Sequence, residues 1–220
     1  MTPVITREFS KAYGEKNIEK MRKLFYRYIP MLYSIAAFFG VFVSMQSDNV
    51  LAIFTDEKFA DAGVVLMVMA FYPIHQTYGQ LSGSIFYATE QTKLYRNIAF
   101  FTQLFMFLLS YIFIVQLNLG AIGLAYSMLI MQLIGTNIGL YFNAKFLNLN
   151  LKYFILHQMY SVAFFIVLAY ISSHIFNLQA TILEFLSSGV VYTLLVIIFA
   201  YIFPQVFATT REEIKKFLKK

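Results

Sequence analysis

Between Arg96 and Lys145 the chain runs for 48 residues without one charged side chain. A membrane-spanning helix needs about 20 mostly apolar residues, so this run has room for two. It divides at "QLNLGAIG", Gln116 to Gly123, where Asn118 and Gly120 supply turn chemistry. Four further charge-free windows, 28–47, 62–89, 153–183 and 185–210, bring the expected number of spans to six. They are placed at about 29–47, 63–88, 97–116, 121–143, 154–175 and 185–204. The runs are continuously apolar, not alternating, and about twice the length of a barrel strand. The expected fold class is therefore all-α, a polytopic membrane helix bundle. Composition agrees: 60% hydrophobic residues, 13% charged residues and a mean hydropathy of +0.67 exceed what a soluble fold of this length can hide.

Charge placement orients the spans. Of the 17 Lys and Arg residues, only Lys58 falls on one side; the others lie in the N-terminal segment, the second–third and fourth–fifth loops, and the tail. The positive-inside rule then puts both termini in the cytoplasm, with the chain multi-pass in the cytoplasmic (inner) membrane. Residues 1–28 read as a cytoplasmic amphipathic segment. Ile18, Met21, Phe25 and Tyr28 share one helical face, the pattern of an elbow lying on membrane lipids. Residues 205–220 read as a basic cytoplasmic tail. Thr210 and Glu213 have capping-box spacing there, and Lys215, Lys216, Lys219 and Lys220 are placed to meet anionic headgroups. No basic patch is interleaved with aromatics away from the membrane boundary, which excludes a nucleic-acid partner.

Chemistry is sparse. No acidic residue lies well inside a span, there is no cysteine, and His75, His157 and His174 have no histidine or carboxylate partner at i, i+3 or i+4. No metal site, cofactor or catalytic constellation is expected, and the chain does not read as an enzyme. Small residues four apart, Gly79 with Gly83 and Gly135 with Gly139, are expected to let helix backbones approach closely. The second span stands out. At 100° per residue, Tyr72, His75, Gln76, Gly79, Gln80 and Gly83 fall within an arc of about 140°, opposite Ile74, Tyr78, Leu81, Ile85 and Ala88. Pro73 frees the Met69 carbonyl and is expected to bend the helix there. Polar groups sorted in this way either hydrogen-bond neighbouring helices or face a water-filled cavity.

Three stretches carry a family likeness. "TPVITREFSKAYGEKNIEKMRKLFYRY" resembles the cytoplasmic segment of polysaccharide and O-antigen flippases, and "VLAIFTDEKFADAGVVLMVMAFYPI" resembles their external loop. In "GSIFYATEQTKLYRNIAFFTQLFMFLLSYIFIVQLNLGAIGLAYSMLI", Ala88, Lys93, Asn97 and Gly120 to Ala125 match a small-residue span end, a basic loop, a span-opening Asn and a "GaiGaA" run. These flippases belong to the multidrug, oligosaccharidyl-lipid and polysaccharide exporter superfamily. The resemblance implies the C-terminal lobe of a two-lobe transporter, with an N-terminal lobe missing from this chain. It implies movement of a lipid-linked oligosaccharide across the membrane by alternating access, without covalent chemistry. On that reading Gln76 and Gln80 bind sugar hydroxyls, Tyr72 offers an aromatic platform, and His75 contacts the pyrophosphate or a neighbouring helix. Two alternatives remain open: a drug-exporting antiporter of the same superfamily, and a non-transporting remnant or assembly subunit of the polysaccharide machinery.

Overall fold

The computed structural model describes residues 2–175 and 181–213. Among these residues there are nine α-helices and no strand: α1 (Thr2–Gly14), α2 (Ile18–Met45), α3 (Ser47–Phe54), α4 (Gly63–Met69), α5 (Tyr72–Ala88), α6 (Thr92–Tyr111), α7 (Gly120–Leu147), α8 (Leu151–Ile175) and α9 (Thr181–Ile202). Six stretches are long and apolar enough to cross a membrane: α2, Lys58–Ala88 with α4 and α5, Thr92–Gln116 with α6, α7, α8 and α9. The protein is an all-α polytopic membrane bundle.

Several of these helices run past the charge-free windows. α7 continues through Lys145, α8 starts at Leu151 beside Lys152, and α6 starts at Thr92 beside Lys93. A lysine at a helix end sends its ammonium to the headgroups while its backbone stays helical, so charge marks the bilayer boundary and not the helix end. The internal break comes where Asn118 and Gly120 sit, both with φ of 53°. Glycine takes that left-handed conformation freely and asparagine tolerates it. After α7, Asn148 repeats the device at φ 52°. The α7 terminus is closed by the Leu149 amide donating to the Ala144 carbonyl at 2.9 Å and by Arg22 Nε of α2 donating to the Leu147 carbonyl at 3.0 Å. A cation there also suits the helix dipole.

The segment expected to form an interfacial elbow before the first span packs against other helices of the bundle. α2 runs through residue 28, and through Pro30, without a break. Met21 and Phe25 are fully buried; Phe25 meets Phe9 of α1 and sits edge-on to Phe154 of α8 at 5.2 Å. The amphipathic face is real, but protein covers it instead of lipid. In the tail, the Thr210 amide donates to Glu213 Oε2 and the Glu213 amide to Thr210 Oγ1, both at 3.3 Å, which is the expected reciprocal cap. Hydrogen bonds from the Thr209 hydroxyl and the Thr210 amide, with Arg27 3.0 Å away, hold the Glu213 carboxyl below the usual carboxylate range. The tail lysines Lys215, Lys216, Lys219 and Lys220 lie outside the described residues.

The directions of the helices follow from their contacts. Phe25 meets Phe154, Ser34 meets Ser161 and Phe38 meets Phe165, so α2 and α8 run parallel. α5 and α7 also run parallel: Thr136 Oγ1 donates to the His75 carbonyl at 3.2 Å, and Asn143 Nδ2 to the Ser82 carbonyl at 2.8 Å, seven residues on in each helix. α6 runs antiparallel to α7, with Thr102 against Gly135 and Ser110 Oγ 2.6 Å from Ser127 Oγ. The main core lies among α1, α2, α5, α7 and α8. By contrast α6 buries little and presents Phe100, Phe101, Phe105 and Phe107 outward, as a helix against lipid would.

Candidate functional site: a neutral cleft between α5, α6 and α7

Pro73 divides the second span. α4 ends at Met69, Ala70 and Phe71 form a turn, and α5 restarts at Tyr72 with the proline in its first turn, where no amide donor is needed. Gly40 of α2 packs on that turn: a Cβ placed there would stand 2.6 Å from the Ala70 carbonyl oxygen. From this fixed start, α5 buries Ile74, Tyr78, Leu81 and Ile85 in the lobe, while Gln76 and Gln80 remain exposed.

Gln76 and Gln80 line a cleft of about 280 Å³ between α5, α6 and α7. Its other polar groups are Ser82 of α5, Tyr95, Thr102 and Gln103 of α6, and Gln132 and Thr136 of α7; no charged residue lines it. Gln132 Nε2 donates to Thr136 Oγ1 at 3.4 Å. One wall is aromatic, with Phe86 and Tyr95 stacked at 5.3 Å and 21°. Close helix approach forms the floor. A Cβ on Gly79 would stand 3.0 Å from Thr136 Oγ1, one on Gly83 2.9 Å from the Tyr95 hydroxyl, and one on Gly135 2.8 Å from Thr102 Cγ2, whereas Gly139 has Phe86 at an ordinary 3.8 Å.

The residues singled out from the sequence do not all meet here. Gln76 and Gln80 share the cleft, and Gly79 forms part of its wall. Tyr72 is half-buried and does not line it. His75 is buried and turns the other way, its ring 5.8 Å from that of Tyr33 on α2. The 140° arc therefore spans two surfaces, the cleft and a helix contact. The aromatic wall comes from Phe86 and Tyr95, and half of the amides come from Gln103 and Gln132, none of which had been singled out. For α7 the signal was present: Gln132, Thr136, Gly139 and Asn143 fall within an arc of about 60° at helical spacing. Among the described residues no group of three or more His, Cys, Asp or Glu is placed to hold a metal ion.

A helical bundle of six candidate spans, with a polar, uncharged cleft among three of them, belongs to the class of polytopic integral membrane proteins. Residues 5–112, just under half of the chain, match the MatE family model. That match supports the multidrug, oligosaccharidyl-lipid and polysaccharide exporter superfamily, and with it a membrane transporter. The matched segment runs from within α1 to the end of α6 and so includes Gln76, Gln80 and Gln103. No curated protein and no solved structure matches the chain.

Proposed function

We propose that this chain is one lobe of a flippase that carries a lipid-linked oligosaccharide across the cytoplasmic membrane, with both termini on the cytoplasmic side and a second helical lobe completing the path. The observation that carries this reading is the chemistry of the cleft. Four glutamine amides, Gln76, Gln80, Gln103 and Gln132, stand with three hydroxyl side chains and a tyrosine, without an acid or a base. An amide both donates and accepts, and so does a sugar hydroxyl, so the lining matches a neutral polyhydroxylated headgroup. Burying such hydroxyls without partners costs several kcal/mol each, and a hydrogen-bonding cleft at membrane depth offsets that cost. A cationic drug would be served better by a carboxylate, which this cleft lacks.

The test is export in a flippase-deficient strain that is complemented by the complete transporter. Gln76→Ala and Gln80→Ala together are expected to lower glycan export severalfold at normal protein abundance, since each removes hydrogen bonds of about 1 kcal/mol. Normal export by the double variant would rule out a role for the cleft in carrying the headgroup.

A further inference from the structure

Among the groups that line the cleft, Tyr95 of α6 has a setting of its own. Its ring lies flat over Gly83 of α5: a Cβ on that glycine would stand 2.9 Å from the tyrosine hydroxyl oxygen, 3.1 Å from Cζ and 3.3 Å from Cε2. Phe86, one turn further along α5, stacks on the same ring at 5.3 Å and 21°, and Tyr87 meets it edge-on at 5.4 Å and 69°. All three neighbours come from α5, so that helix covers one face and an edge of the ring. Tyr95 is half-buried and lines the cleft, which leaves its other face on the cleft side. Phe86 is only 1% exposed and has no face to offer.

Position gives this ring a place along the path. Tyr95 is in the first turn of α6, between Lys93 and Arg96, the charges that mark the bilayer boundary. Gln103 is two turns deeper, about 12 Å along the helix. On α5, Gln80 precedes Gly83 by one turn and Gln76 by two, so Gln80 is the α5 amide nearest the ring. The cleft therefore has an aromatic mouth and an amide interior. A pyranose ring is amphipathic in a matching way, with C–H groups on its faces and hydroxyls around its rim. The negative π-face of an aromatic ring attracts such C–H groups, and amides both donate to and accept from the hydroxyls.

We propose that Tyr95 is the sugar platform of the cleft: the face of its ring turned away from α5 takes the C–H face of a neutral pyranose at the mouth. Gln80 is the first amide to meet the hydroxyls, before the headgroup passes inward to Gln76, Gln103 and Gln132. The aromatic role that the sequence suggested for Tyr72 falls to Tyr95, and the absence of a side chain on Gly83 is what lets the ring lie flat. The assignment rests on the flippase reading and gives it a specificity-determining residue.

The chain contains no tryptophan, so Tyr95→Trp keeps a flat aromatic ring and makes it the single indole reporter. The probe, added to the protein in nanodiscs, is a polyprenyl diphosphate carrying one glucose; the control is the same lipid without the sugar. Tyr95→Trp emission is expected to shift saturably with the glucosylated lipid and to stay unchanged with the control. Equal responses to the two lipids would overturn the proposal. Binding of the radiolabelled glucosylated lipid separates this proposal from the reading it rests on. Tyr95→Phe and Tyr95→Trp are expected to bind as the unsubstituted protein does, and Tyr95→Leu, which keeps apolar bulk over Gly83 without a π-face, to bind severalfold more weakly. Loss of binding in the Gln76→Ala, Gln80→Ala double variant but not in Tyr95→Leu would leave the cleft reading standing and remove the platform. Binding untouched by either change would remove both.

Discussion

At the residue scale, glycines decide how closely the helices approach, and two of them make opposite predictions. Gly40 sits where a methyl group would meet the Ala70 carbonyl at 2.6 Å and Ile74 Cγ1 at 2.8 Å, against backbone that the Pro73 turn holds in place. Gly40→Ala is therefore expected to cost about 1–3 kcal/mol, seen as a lower thermal midpoint and lower abundance in the membrane. Gly139, with its nearest neighbour at 3.8 Å, should accept alanine with no loss, since alanine also relieves the helix penalty of glycine. If Gly40→Ala proved as stable as Gly139→Ala, the tight contact between α2 and the turn before α5 would be wrong. Spacing alone pointed to Gly79, Gly83, Gly135 and Gly139 and passed over Gly40. Its contact is with a turn 30 residues away in the chain, and no local pattern carries that information.

At the element scale, the parallel pair α5 and α7 is joined by two polar links one heptad apart, Thr136 to the His75 carbonyl and Asn143 to the Ser82 carbonyl. Asn143 is almost fully buried. Its replacement by Ala should cost about 1 kcal/mol, the usual worth of an interhelical hydrogen bond in a membrane protein, measured as a shift in thermal unfolding in detergent. An unchanged midpoint would mean that the Asn143 link adds nothing to the hold between the two helices. The number of spans, the break at Asn118 and Gly120, and the interruption before Pro73 were legible in the sequence because each follows from local chemistry: continuous apolar runs, left-handed residues and a missing amide donor. The cover of each polar or apolar face was not legible. The face carrying Met21 and Phe25 looked like a lipid face because Phe9 and Phe154, which bury it, come from other helices. His75 grouped with Gln76 on a helical wheel, but α2 supplies Tyr33 on one side of α5 while α6 and α7 form the cleft on the other.

At the scale of the whole molecule, the contacts require neighbouring spans to alternate in direction, and charge chooses which end faces the cytoplasm. With sixteen of 17 basic residues on one side, reporters fused after Lys152 and after Lys220 should behave as cytoplasmic and a reporter near Lys58 as external; the opposite pattern would invert the orientation. The central claim is narrower: the face of α5 that carries Gln76 and Gln80 meets water while the rest of the lobe meets protein or lipid. The direct measurement places single cysteines in the membrane-inserted protein at Gln76, Gln80, Leu81 and Phe100 and follows labelling by a water-soluble maleimide. Gln76→Cys and Gln80→Cys should label readily, Leu81→Cys should not because it is buried, and Phe100→Cys should not because it points outward from an apolar span, where lipid is expected. Labelling at Gln76→Cys and Gln80→Cys no faster than at Phe100→Cys would show that the cleft is filled by helices or lipid, and would contradict the account.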